Sequence, residues 1–125
     1  MKTLLQVLES EVLDRQASSK EVELNKPGSF NVCILNDPVT PGMLVLEAIV
    51  HVIKISPAEA MRRVMTAHRG GWAVVATYSS KDVAETKASL LEDYVRNDKK
   101  YDDYHQYTGH AGAWPFTVEV MEAGG

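Results

Sequence analysis

Four histidines (His51, His68, His105 and His110) and the acids Asp102 and Asp103 are the side chains best suited to gather a metal ion. Their spacing speaks against that chemistry. His105 and His110 stand five apart in a glycine-containing stretch, unlike the helical or finger spacing that aims two imidazoles at one ion. The single cysteine, Cys33, excludes an internal disulfide and a cysteine-based zinc cluster, and its apolar surroundings read as those of a small buried hydrophobe. No glycine-rich phosphate loop, nucleophile elbow or Ser/His/Asp set is present. The polar groups that remain suit recognition. Asn36-Asp37 follows an apolar run, although both residue types favour turns on their own account. His68 closes an amphipathic segment. No catalytic or metal-binding pattern emerges from these residues on their own.

The 125 residues suffice for one domain. A hydrophobic share of 45% and a charged share of 24% are ordinary for a globular chain. The net charge of −4 argues against general nucleic-acid binding, which needs a clustered basic surface. It suits instead a partner or ligand end that carries positive charge. No apolar run approaches the roughly 20 residues of a membrane span, and Glu9, Glu11 and Asp14 make the N-terminus unlike a secretory signal. A cytoplasmic location without membrane contact is expected.

The elements that must position these groups can be read in order. Leu4, Leu5, Leu8 and Val12 suit a short amphipathic helix within an N-terminal extension, residues 1–27, whose remainder is polar and flexible. The folded domain is expected over 28–122, with a short tail at 123–125. Ser29–Leu35 alternates as a strand covered at least partly on both faces. Thr40-Pro41 reads as a helix start, with threonine as the cap and proline in the first turn. Val45, Ala48, Ile49 and Val52 form that helix's apolar stripe. Ser56-Pro57-Ala58-Glu59 is a capping box for a second helix, which ends at Gly70-Gly71. Trp72–Tyr78 is a strand. Ser80 opens a third helix with Val83, Lys87, Leu90, Leu91 and Tyr94 on one side. A polar stretch then leads to a last strand with Phe116, Val118 and Val120 in alternation. The order β-α-α-β-α-β predicts an α+β fold, a three-stranded sheet with three helices packed on one face.

In that frame the chain resembles the ClpS family of Clp protease adaptors. The resemblance rests on Asn31–Asp37, the Thr40-Pro41 helix start, the Met65-Thr66-Ala67-His68 helix end and Val83-Ala84-Glu85-Thr86-Lys87. It runs from about Phe30 to Arg96 and resumes at Pro115–Val120. It implies capture of proteins by a large apolar N-terminal residue (an N-degron) and docking on the N-terminal domain of a ClpA- or ClpC-type AAA+ unfoldase. It also implies no catalytic activity and no cofactor. By position it assigns Asn36, Asp37 and His68 to the ligand's α-amino group. Thr40, Gly42, Val45, Val64, Ala67 and Phe116 are assigned to the side-chain pocket, between the first two helices and the last strand. Asp82 and Lys87 match the surface that faces the unfoldase.

The chemistry agrees with the first assignment. An α-ammonium group presents up to three donors and a positive charge, so its receptor must supply acceptors. An Asn carbonyl, an Asp carboxylate and a neutral His ring nitrogen do so, and the carbonyl end of a helix favours a cation. Two departures from the commonest family pattern bear on specificity. Pro38 stands where a second Asp is common, which removes a carboxylate and a backbone N–H. Gly42 stands where many members have a Met that narrows the pocket against β-branched residues. The alternative these departures support is a binding module of the same fold with another ligand. Residues 98–113 form a longer connection than is usual, read as an exposed loop of polar aromatics (Tyr101, Tyr104, Tyr107).

Overall fold

The computed structural model describes residue 24 and residues 26–124. The amphipathic segment expected near residues 3–14, and most of the N-terminal extension, lie outside the described residues. Strand β1 (Phe30–Leu35) is followed by helices α1 (Gly42–Ile53) and α2 (Pro57–Gly70), strand β2 (Trp72–Tyr78), helix α3 (Lys81–Arg96) and strand β3 (Val118–Glu122). The expected α+β order is present. β1 lies at the centre of an antiparallel sheet, order β2-β1-β3, with Ile34 opposite both Ala73 and Val118.

Alternation along β1 divides the sheet's faces. Val32 and Ile34 join a core with Leu44, Val45, Ala48 and Ile49 of α1, Ala60 and Ala67 of α2, and Leu91 and Val95 of α3. Asn31 and Cys33 fall on the other side, where Thr77 donates its hydroxyl to Asn31 Oδ1 at 2.8 Å. A bulge between Val32 and Cys33 shifts the pairing with β2.

Three helix readings need correction. At α1 the threonine cap gives way to Pro41, which has extended geometry and no side-chain cap bond. Its carbonyl accepts from Leu44 and Val45 instead, and Thr40 sits one residue outside the helix. At α2 the Ser56 hydroxyl accepts from Glu59 N at 3.1 Å as expected. The Glu59 carboxylate does not return the bond, because it pairs with Arg62 and Arg63. On α3 the buried stripe is Ala84, Ala88, Leu91 and Val95. Val83 and Leu90 are 42% and 46% exposed. The small alanines let α3 approach the core closely, so the larger apolar residues fall at its edge.

The long connection is also more ordered than an exposed loop. It contains a 3₁₀ turn (Asp102–Tyr104) and a short helix α4 (His105–Thr108). Lys100 Nζ and the Tyr101 hydroxyl both reach Glu47 on α1, at 2.7 and 2.9 Å. Burial and that hydrogen bond push the Tyr101 phenol up to about 12. Trp114 is buried, with His105 stacked on it at 4.1 Å. Phe116 precedes β3 and does not belong to it. At the far end Ala123 is buried and donates to Ser29 O, and Gly124 lies against Pro27.

Candidate functional site

A cleft opens where β1 ends. It holds about 300 Å³, counting its open mouth, and is lined by Ile34 and Leu35, the Asn36-Asp37 turn, Thr40, Gly42, Val45, Val64, Ala67 and Phe116. Local geometry explains why these residues converge. The apolar run of β1 must stop at Asn36, whose N–H bonds to Gly71 O at 2.9 Å. Gly71 is the left-handed cap of α2 (φ 93°), and its own N–H closes on Ala67 O at 2.7 Å. The turn carrying Asn36 is therefore tied to the helix end carrying Ala67 and His68.

Asp37 then shapes the entry to α1. Its Oδ1 accepts from Val39 N at 3.0 Å and from Thr40 N at 2.7 Å. This Asx-type turn works with Pro38, which has no N–H to offer. The second carboxylate oxygen has no partner among the described residues. The Thr40 hydroxyl is buried, lines the cleft and also lacks a partner among the described residues. A buried, unsatisfied hydroxyl costs about 1–3 kcal/mol, so the site holds polar capacity that the fold does not use.

The walls are apolar and small on one side. Gly42 is the first residue of α1, and a Cβ built there would lie 3.7 Å from Val64 Cγ1. Its φ is not in the left-handed region, so neither backbone nor packing requires glycine here. What glycine supplies at this wall is space. Phe116, buried within the protein, also lines the cleft.

The structure thus brings Asn36, Asp37, Thr40, Gly42, Val45, Val64, Ala67 and Phe116 together. His68 is exposed on the last turn of α2 next to Ala67, and it does not line the cleft directly. Ile34 and Leu35 also line it, and the signal for them was their place just before the Asn36 turn. Asp82 and Lys87 lie on α3, away from the cleft. Lys87 Nζ donates to Val52 O at 3.3 Å near the C-terminus of α1, a favourable place for a cation. Among the described residues no three His, Cys, Asp or Glu side chains gather as a metal site. His51 packs on Tyr94, and His105 and His110 stack near Trp114. Burial, with a smaller contribution from Glu119, pushes the Cys33 thiol up to about 11.

Comparison with known proteins gives the same picture at the level of family. Residues 25–107 match the family described as ATP-dependent Clp protease adaptor protein ClpS. A ClpS 2 adapter protein of Mesorhizobium japonicum is 35% identical over 83 residues, which cover 66% of this chain and 81% of that protein. The ClpS adapter of Ruegeria pomeroyi is 37% identical over 75 residues, 57% of this chain and 62% of that protein's length. A solved structure of Agrobacterium tumefaciens ClpS2 bound to L-phenylalaninamide is similar at a TM-score of 0.59 and 30% identity, covering 78% of this chain and 99% of that one. The family match ends before Trp114 and Phe116. No helix among the described residues is long and apolar enough to cross a membrane. The match across 25–107 and the shared fold show that the chain belongs to the ClpS family of adaptors for the ATP-dependent Clp protease, and is an adaptor and not an enzyme.

Proposed function

We propose that this adaptor captures proteins by a hydrophobic N-terminal residue and hands them to a Clp unfoldase. The observation that carries the reading is the buried Thr40 hydroxyl, without a partner among the described residues, in an apolar cleft whose lining also holds the Asp37 carboxylate and the Asn36 amide. A free α-ammonium group above a large apolar side chain matches that arrangement, donor to acceptor and ring to cleft. L-Phenylalaninamide, the ligand of the Agrobacterium ClpS2 structure, has both features. In this reading Asn36, Asp37 and His68 receive the α-amino group, and the pocket of Thr40, Gly42, Val45, Val64, Ala67 and Phe116 receives the side chain, with the Thr40 hydroxyl at its rim turned to the ligand's polar end.

Magnitudes support a reversible grip. Burying a Phe or Leu side chain contributes roughly 1.5–3 kcal/mol, and each charge-assisted hydrogen bond about 1.5–3 kcal/mol. After the cost of association this leaves a Kd of about micromolar order. The delivery partner is the N-terminal domain of a ClpA- or ClpC-type unfoldase in the cytoplasm. Asp82 and Lys87 belong to the docking surface on α3, and residues 1–27 act in delivery as an extension of the 28–122 domain.

The test is a fluorescent peptide beginning with a free Phe, titrated beside the same peptide acetylated at its N-terminus. Binding that acetylation abolishes is the expected result. Folded protein that ignores the free peptide would sink the reading. Pro38 and Gly42 favour the second reading in that event, a module of the same fold with another ligand.

A further inference from the structure

The backbone around Phe116, a residue of the cleft lining, is held by two side chains of α3. Phe116 precedes β3, so its carbonyl takes no part in the β1–β3 ladder, whose pairs begin at Ile34 and Val118. Arg96, the last residue of α3, donates both Nε and Nη2 to that carbonyl, at 3.1 and 2.8 Å. The same Nη2 meets Glu92 Oε2 at 3.4 Å, one helical turn back. That carboxylate oxygen also accepts the Val118 N–H, at 3.1 Å. One Arg/Glu pair thus grips the chain on both sides of Thr117 and fixes the approach to β3.

The pair's contribution to stability alone is small. The side chains are 43% and 24% exposed, and solvent screens such an i,i+4 pair. Its geometric contribution is specific. A planar guanidinium presents two donors in a fixed fork, which a lysine ammonium cannot reproduce. Phe116 lines the same small cleft as Gly42, Val64 and Ala67, so a small displacement of it changes the space left for a ligand.

We infer that Arg96 and Glu92 are positioning residues for the pocket, holding Phe116 where it sets which first side chains fit. This rests on the N-terminal-residue reading proposed above. It predicts that loosening the grip changes discrimination more than it changes folding.

The experiment compares the full-length protein with Arg96→Leu, Arg96→Lys and Glu92→Leu. Fluorescence anisotropy gives Kd for peptides starting with free Phe, Leu and Trp, and a thermal melt is recorded for each variant. Moving a wall of an apolar pocket by about a methylene changes selectivity on the order of 10-fold. The Phe-to-Leu or Phe-to-Trp affinity ratio is therefore expected to change by at least about fivefold in Arg96→Leu and Glu92→Leu, with a smaller change in Arg96→Lys. Ratios that stay within about twofold of wild type, whatever the melting temperature does, would overturn the inference while leaving the proposed function intact. If Arg96→Leu does not fold, Glu92→Leu decides by the same ratios. Wild-type protein that fails to bind the free Phe peptide would overturn both.

Discussion

Gly42 offers the sharpest test of how this cleft selects its ligand. We predict that Gly42→Ala leaves the fold as stable or more stable, and that Gly42→Met lowers affinity for β-branched first residues most. The backbone accepts a side chain, because the φ of Gly42 is not left-handed and the new Cβ meets Val64 Cγ1 at an ordinary 3.7 Å. Glycine within a helix costs roughly 0.5–1 kcal/mol relative to alanine, and less at a first helical position, so a gain of at most about 0.5 kcal/mol is expected. For the ligand the balance reverses. Added atoms at Gly42 remove space from the cleft it shares with Phe116, and overpacking costs typically about 1–3 kcal/mol, or about 5- to 150-fold in Kd. A β-branched side chain carries its extra carbon beside the ligand backbone and has fewer rotamers with which to evade the new group. The assay is anisotropy with Phe- and Ile-initiated peptides against wild type, Gly42→Ala and Gly42→Met, with melts in parallel. Wild type is expected to bind the Ile peptide less than about 100-fold more weakly than the Phe peptide, and Gly42→Met to widen that gap. Equal loss for both peptides in Gly42→Met, or a wild-type gap already beyond a hundredfold, would refute the reasoning.

Other expectations are separable. Asn36→Ala and His68→Ala should each weaken a free-Phe peptide by about 10- to 150-fold, yet shift stability by no more than about 0.5 kcal/mol, since neither side chain has a hydrogen-bond partner among the described residues; a large drop in melting temperature would reassign them to the fold. Phe116→Ala should cost about 3–5 kcal/mol by denaturant unfolding and also abolish binding, because the ring serves both core and cleft. The Cys33 thiol is raised in the folded protein, from 9.0 to about 11. It therefore supports folding below pH 9, and that support is lost as pH rises from 9 towards 11, at about 2–3 kcal/mol in all. Denaturant melts at pH 8 and 10.5 check this, with Cys33→Ala expected to reduce the drop, the remainder coming from phenols such as Tyr101 that are also raised. Iodoacetamide at pH 8 should leave native Cys33 unmodified and label it only after unfolding.

Much of the architecture was legible from local chemistry. The alternation in β1, Ser56 three residues before Glu59, and Gly70-Gly71 are short-range signals, and each produced the element expected because its cause lies within a few residues. The cleft residues from Asn36 to Ala67 could be named because the resemblance to the ClpS family assigns them by position. Tertiary packing decided the rest. The face that α3 buries depended on how closely Ala84 and Ala88 let it approach, so spacing alone favoured the larger Val83 and Leu90. Asp37 claimed the N–H groups before α1, which left Thr40 to face the cleft and not to cap the helix. The polar stretch after α3 gave no periodic sign that Trp114 would be buried against His105. Nor did it show that Arg96 would reach the Phe116 carbonyl from 20 residues away. Residue type and spacing by themselves determined the order of strands and helices, the Ser56 start and Gly71 end of α2, and the polar turn, because those follow from interactions along the chain. The cleft's depth, its unused hydrogen-bonding groups and the support of Phe116 arise between segments distant in sequence, and only the folded chain sets those distances.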